Sequence, residues 1–261
     1  LGKSGATALL KLVEEPPEHT VWLLCAPSPE DMIATIRSRC RHLGLRIPTA
    51  SAVADLLVRE GVATPDVALE AARAAQSHIG LARALARDPQ MRERRRAIIT
   101  APASVRSVGE AVMAADRLLE TAKAQADAQV SERNAREKAE LMRQLGMDEG
   151  ESATKASRTM IRQLEEDQKR RSKRALTDAI DRALIDLLAI YRDVLMVQVG
   201  GDGELINTDL SDLVHEIAQD STPRQTLARV DHIETARKRL VSNGNPLLVL
   251  EDMAISLRPQ A

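Results

Sequence analysis

Ala34-Thr-Ile-Arg-Ser-Arg-Cys-Arg41 is an arginine-dense turn set between a short predicted helix and a predicted strand. Upstream of it lie Ala8-Leu-Leu-Lys-Leu-Val-Glu-Glu-Pro-Pro17 and the apolar run Thr20-Val-Trp-Leu-Leu-Cys25. That run is short, rich in β-formers and bounded by prolines, so it predicts a buried strand. Ser28-Pro29-Glu30-Asp31 predicts a helix start: Ser28 can cap, Pro29 suits the first helical position, and Asp31 would complete a capping box. A short helix to about Ile36 follows. Cys40 to Ile47 alternates well enough for a last strand, closed by Pro48. Residues 1–47 therefore predict the back half of an α/β domain.

Arginine in such a turn carries specific chemistry. Its guanidinium is always protonated, planar, and offers forked donors that match phosphate oxygens. Placed at a subunit edge, it can reach a nucleotide held by a neighbour and stabilise charge on a transferring γ-phosphate. Taken without their surroundings, Arg37, Arg39 and Arg41 read instead as solvated loop residues pairing with acids such as Glu30 or Asp31.

The surroundings favour the first reading. The leucine-leucine-lysine helix ending in Glu14-Glu15-Pro16-Pro17, the following strand and Ser38-Arg39-Cys40 resemble, in order and spacing, the clamp-loader subunits of bacterial DNA polymerase III, a branch of the AAA+ ATPases. The resemblance implies that Arg39 is an arginine finger acting in trans, with Ser38 and Cys40 as its motif neighbours. It implies ATP and Mg held by the adjoining subunit rather than by this chain. It implies as partners the gamma/tau and delta subunits and, through the complex, the sliding clamp and primed DNA. Ala26-Pro27-Ser28-Pro29-Glu30-Asp31 and Arg37 resemble the arginine-supplying member more than the ATP-hydrolysing motor. A purely structural helical scaffold is the reading from a different class, and it leaves Ser38-Arg39-Cys40 unexplained.

Leu1 opens directly into a helix of the kind found inside an α/β domain, so the chain is expected to lack most of its first domain. Gly2-Lys3-Ser4 imitates the end of a phosphate-binding loop, but the first glycine and the preceding strand are absent from it. With neither a complete phosphate loop nor a carboxylate constellation for metal, no polymerase or complete ATPase site is expected.

In a chain of 261 residues, hydrophobic residues make up 44%, aromatics only 1%, and phenylalanine is absent, so the core must be aliphatic. That composition suits packed helices. A formal net charge of -1 supplies no global attraction to nucleic acid, so any DNA contact would be local. Cys25 and Cys40 form no disulfide framework, and the five histidines are scattered. A reduced, cytoplasmic protein is the expectation.

From Thr49 the pattern is helical. Thr49 caps a helix ended by Gly61, Thr64-Pro65 opens a second to about Gln76, and Gly80 to Ala86 forms a third that ends near Pro89. These helices, over residues 48–100, are expected to form an all-α lid. The resemblance places on the third an arginine that senses nucleotide, Arg83, which reads equally as an ordinary solvated residue. Residues 101–261 are expected to form an all-α collar domain. Two long helices dominate it, about Ser104 to Gln144 and Ala153 to Val199, joined across Gly146–Gly150.

Val108, Val112, Ala115, Leu118 and Leu119 form one stripe of that domain, while Ala179, Ile180, Ala183, Leu184, Leu187, Leu188, Tyr191 and Leu195 form the other. Between them, about 125–172 reads as a charged projecting hairpin. Its run Lys169 to Arg174, like Arg92 to Arg96, lacks interleaved aromatics, and so reads as a solvated face before it reads as a phosphate site. Three further helices, about Leu210 to Gln219, Pro223 to Ser242 and Pro246 to Leu257, complete the chain, the last capped by Asn245 with Leu247, Leu248, Leu250, Met253 and Leu257 buried.

Overall fold

The computed structural model describes residues 10, 12–26, 28–145 and 155–258. Two compact units divide the chain, Leu1–Pro48 and Thr49–Ala261.

In the first unit positions 12–14 are helical. Pro16 and Pro17 end that helix, because proline has no N–H to donate and disfavours helical geometry in the residue before it. A 3-10 turn, Pro29–Asp31, and a four-residue helix α1, Ala34–Arg37, replace the single helix expected here. The break falls at Met32 and Ile33, both extended. Ser28 does cap the turn, accepting from the Glu30 N–H at 3.4 Å. Asp31 forms no capping box; the carboxyl that folds back onto the Ser28 hydroxyl is that of Glu30.

The strands expected over Thr20–Cys25 and Cys40–Ile47 do not form, and there is no strand among the described residues. Val21 and Leu23 are each 83% exposed and Leu45 96%, and Cys25 is exposed rather than in a core. The reason is physical: a strand exists only when its N–H and C=O groups find a ladder on a neighbour. Side-chain pattern supplies the extended preference but not the partner. The fold is thus predominantly helical, and no strand of the α/β layer expected of residues 1–47 is present among the described residues.

The second unit begins with three helices, α2 (Ala50–Arg59), α3 (Pro65–Ala74) and α4 (Ile79–Arg87). Thr49 caps α2, accepting from the Ala52 N–H at 3.2 Å. Gly61 follows its end with φ +67°, a conformation that glycine adopts without strain. His78 caps α4, its Nδ1 accepting from the Leu81 N–H at 3.0 Å. Val53, Leu57, Ala68, Ala72, Ala82 and Leu85 make a small core in which alanines let the helices approach closely.

The third helix ends just before Pro89, as expected, and the same proline also begins another helix. With Asp88 as cap, accepting from the Gln90 N–H at 2.9 Å, it opens α5, Pro89–Ser104. Proline at the first helical position sacrifices no intrahelical bond, so it starts a helix as readily as it stops one. The boundary expected at residues 100–101 therefore falls within a continuous helix, whose Ile99 enters the larger core.

α6, Val108–Gln144, starts four positions later than expected, where Ser107 and Glu110 form a capping box. α7, Lys155–Gln198, is the second long helix; their 37 and 44 residues correspond to about 55 and 65 Å at the usual helical rise. The connection Gly146–Gly150 lies outside the described residues. The last helices are α8 (Ser211–Gln219), α9 (Pro223–Val241) and α10 (Pro246–Ser256). Helices α5, α6, α8 and α9 pack on α7, and α10 packs on α6 and α9. Accordingly α7 is buried on several sides, through Ile180, Leu184, Leu187, Ile190, Tyr191 and Val194.

On α6 the buried line is Ala111, Ala115, Leu119, Ala122, Ala126 and Val130, every third or fourth residue, while Val108 of the expected stripe is exposed. Ala126 and Val130 meet Ala175 in a separate contact farther along the hairpin. In α10, Asn245 Oδ1 accepts from the Leu247 and Leu248 N–H groups as expected. Leu248 itself is exposed, and Val249 is buried instead. Just before this cap, a Cβ on Gly244 would stand 2.8 Å from the Arg239 carbonyl oxygen.

A buried polar network ties α5 to α7 and to the loop before α8. The Arg95 guanidinium donates from Nε to Asp186 Oδ1 at 3.0 Å and from Nη2 to Asn207 Oδ1 at 2.5 Å. Asp193 accepts from the Asn207 N–H at 2.8 Å, its Nδ2 at 2.9 Å, and the Ile206 N–H at 3.0 Å. Arg192 reaches both Asp193 and the Glu204 carbonyl, and Arg73 of α3 pairs with the Glu204 carboxylate at 3.1 Å. The three-helix element and the bundle are thus joined by charge as well as by apolar contact.

Candidate functional site

Because the double proline ends the first helix, Glu14 occupies its last described helical position. A carboxylate there meets the negative end of the helix dipole, an unfavourable arrangement unless a cation stands nearby. Arg39 is that cation: its Nε lies 2.5 Å from Glu14 Oε1.

Arg39 is placed by the turn that ends α1. Ile36, fully buried, anchors the helix, and the backbone then tightens: the Ser38 N–H donates to the Ala34 carbonyl at 2.9 Å, the Arg39 N–H to Ile36 at 3.0 Å and the Cys40 N–H to Arg37 at 3.3 Å. The Arg39 side chain folds back over this turn. Its Nη1 donates to the Thr35 carbonyl at 2.9 Å and lies 3.5 Å from Ser38 Oγ. The Ser38 hydroxyl donates to the Thr35 carbonyl at 3.2 Å. Cys40 is a free, half-buried thiol beside it.

Among the described residues the terminal Nη2 of Arg39 has no partner, and the side chain is 41% exposed against 44% for Glu14. A pair this open is worth at most about 1 kcal/mol. The guanidinium is therefore held, not locked. The pairing expected with Glu30 or Asp31 is replaced by one with Glu14. The Glu30 carboxyl is instead drawn below its ordinary value chiefly by the Ser28 hydroxyl, then by its own backbone N–H, with smaller contributions from Arg37 and His42.

Arg83 lies elsewhere, on α4. Its Nε and Nη2 donate to both oxygens of Glu60 at 2.8 to 3.0 Å, a forked pair that clamps α4 to the end of α2. The two basic runs are also engaged internally. Arg92 Nη1 donates to the Leu85 and Ala86 carbonyls and so covers the end of α4, Arg94 pairs with Asp88, and Arg95 enters the buried network. In the hairpin, Arg171 bridges to Glu137 and Asn134, both at 2.8 Å, and Lys173 donates to Asn243. Arg171, followed by Arg133, holds the Glu137 carboxyl below its ordinary value.

Of the residues the sequence singled out, the fold thus gathers Glu14, Ser38, Arg39 and Cys40 within the first unit, while Arg83 belongs to the second. Sequence reasoning passed over Asp186. Its signal was present: it stands three residues after buried Ala183 and four before buried Ile190, where a carboxylate requires a partner. Gly2-Lys3-Ser4 lies outside the described residues. Among those described, no group of His, Cys, Asp and Glu is arranged to hold a metal ion, and no helix is long and apolar enough to cross a membrane.

Residues 1–49, which contain the whole Glu14–Arg39 arrangement, match the family described as "DNA polymerase III, delta subunit". This end of the chain is thus similar to subunits of DNA polymerase III. Its similarity extends to delta-prime subunits of several bacteria. The chain is 40% identical over 85 residues to the delta-prime subunit of Escherichia coli, covering 33% of this chain and 25% of that protein. It is 36% identical over 72 residues to the delta-prime subunit of Bacillus subtilis, covering 28% and 22%. The gamma/tau subunit of Mycobacterium tuberculosis is 42% identical over 67 residues, 24% of this chain and 12% of that protein. The matched part is thus an eighth to a quarter of each relative's length.

Proposed function

We propose that this chain is a delta-prime-type subunit of the DNA polymerase III clamp loader, and that it serves ATP-dependent loading of the sliding clamp onto primed DNA by presenting Arg39 to ATP bound in a neighbouring gamma/tau-type subunit. The observation carrying this reading is the Ser38-Arg39-Cys40 turn: it lies within the matched residues and offers a half-exposed arginine whose Nη2 is free of partners among the described residues. On this reading Nη2 donates to the γ-phosphate as charge spreads over its oxygens in the transition state, so the arginine lowers the barrier without itself gaining or losing a proton. The nucleotide and its Mg belong to the neighbour, gamma/tau and delta are the immediate partners, and the compartment is the cytoplasm. Residues 48–100 would serve as the lid and 101–261 as the collar, with helix α5 shared between them.

In the assembled complex, Arg39→Ala should lower DNA- and clamp-stimulated ATP turnover while leaving assembly intact. Arginine fingers elsewhere contribute about 10³ to 10⁵ in rate, of which a multi-site motor would display only part. Arg39→Lys should rescue little, since an ammonium keeps the charge but not the fork. Arg41→Ala is the control. Unchanged turnover in a correctly assembled Arg39→Ala complex would refute the trans-acting role.

A second reading, an ATP-hydrolysing gamma/tau-type motor, is supported by the similarity to gamma/tau subunits. Steady ATP turnover by the full-length protein without partners would favour it.

A further inference from the structure

The Glu14-Glu15-Pro16-Pro17 segment closes the first helix beside Arg39. Its geometry gives one of its members work to do. The double proline fixes where the helix ends, the end fixes the carboxylate of Glu14, and that carboxylate stands 2.5 Å from Arg39 Nε. Thr35 accepts from Nη1 on the other side. Of the three guanidinium nitrogens, two are thereby occupied from within this unit and Nη2 is left over among the described residues. A flexible arginine tethered at two nitrogens and open at the third is pre-oriented: fewer rotamers remain to be lost when it meets an anion.

We propose that Glu14 is a positioning residue for Arg39, holding the guanidinium so that Nη2 is presented outward to the neighbour's γ-phosphate; this rests on the reading of Arg39 given above. Nη2 carries two hydrogens: one lies on the edge it shares with Nε, where Glu14 stands, and the other points along the Nη1 edge, and it is this second hydrogen that the phosphate would take. The opposite effect, a carboxylate that sequesters the arginine, would require Nη2 to donate to Glu14 as well, and no such hydrogen bond is present among the described residues. The dipole argument adds a reason for glutamate at this position: without Arg39 beside it the carboxylate would weaken its own helix end. The pair is also open enough to shift as a neighbour docks.

The test is a double-mutant cycle in the complex reconstituted with its ATPase partner, measuring stimulated ATP turnover at saturating and limiting ATP. Glu14→Gln keeps size and removes charge. Glu15→Gln makes the same charge change at an exposed neighbour with no ion pair among the described residues, and serves as the control. The expected result is a fall in kcat of about threefold to fivefold for Glu14→Gln, short of the loss caused by removing the finger, with KM for ATP within about twofold and Glu15→Gln unchanged. In an Arg39→Ala background Glu14→Gln should add nothing, because the residue acts only through the arginine.

Three results would overturn the proposal while leaving the role of Arg39 standing: Glu14→Gln equal to wild type beside a defective Arg39→Ala, a rise in kcat, or losses that multiply in the double variant as they would for an independent structural effect. An Arg39→Ala complex with wild-type turnover would remove both readings together. Circular dichroism and gel filtration of each variant establish that the chain is folded and assembled. Should Glu14→Gln fail to fold, Glu14→Asp, which keeps the charge but shortens its reach, takes its place in the same cycle.

Discussion

Arg95 allows the sharpest test of how the helical unit is built. Truncating it to alanine would leave Asp186, itself almost fully buried, without its charged partner, and would remove a donor from Asn207, which is completely buried. Breaking a buried ion pair by removing one member costs about 3 to 5 kcal/mol, because an uncompensated charge remains. Burial already raises the Asp186 carboxyl above its ordinary value of 3.8, against the lowering effect of Arg95.

The sign of the pH dependence follows. An acid whose value is raised in the folded state holds its proton to higher pH than it does unfolded, so its contribution to stability is present at low pH and lost as pH rises through the folded value. In Arg95→Ala the raising cause acts almost alone, so the deficit should be largest at neutral pH and shrink on acidification toward the range of the shifted carboxyl. Urea unfolding followed by helical circular dichroism, at a series of pH values, measures both effects. Replacing both members with apolar residues of similar volume, Arg95→Met with Asp186→Leu, should recover most of the loss, although Asn207 would still lack its donor. A loss below about 1 kcal/mol at neutral pH, or a deficit that grows on acidification, would refute the account.

Further outcomes follow from other contacts. Arg83→Ala should cost about 1 kcal/mol or less, as expected for a forked but half-exposed pair, and Glu60→Gln should cost a similar amount by the same unfolding measurement. Ser107→Ala should remove about 1 kcal/mol by abolishing the capping box at the start of α6. Gly244→Ala should destabilise the α9–α10 connection, since the new methyl would meet the Arg239 carbonyl oxygen, a backbone atom. A fragment of residues 101–261 should be markedly less stable than one of residues 89–261, because the cut removes Ile99 and Arg95 from the packed core; equal midpoints in urea would show that α5 is dispensable.

The helical part of this chain was legible in its sequence because helix signals are local. Capping residues Thr49 and Asn245, the proline at the start of α3, Gly61, and apolar spacing along α7 each act within a few residues, and each can be read without knowing the rest of the molecule. At Pro89 the end of α4 was legible and the start of α5 was missed, although the same residue can close one helix and open the next. Arg39 was likewise visible through its motif.

What only the tertiary structure decided was partnership. The extended runs at Thr20–Cys25 and Cys40–Ile47 carry strand-like residues without a ladder, because hydrogen bonding between strands is a property of two segments and the pattern of one cannot supply the other. Asp186 and Arg95 are ninety-one positions apart, and only packing places one against the other. Glu14 and Arg39 belong to different elements, so nothing in either stretch alone announces the pair. Local chemistry writes the helices and marks the arginine, while the burial of charge and the choice of counter-ion arise from distances that exist only once the chain has folded.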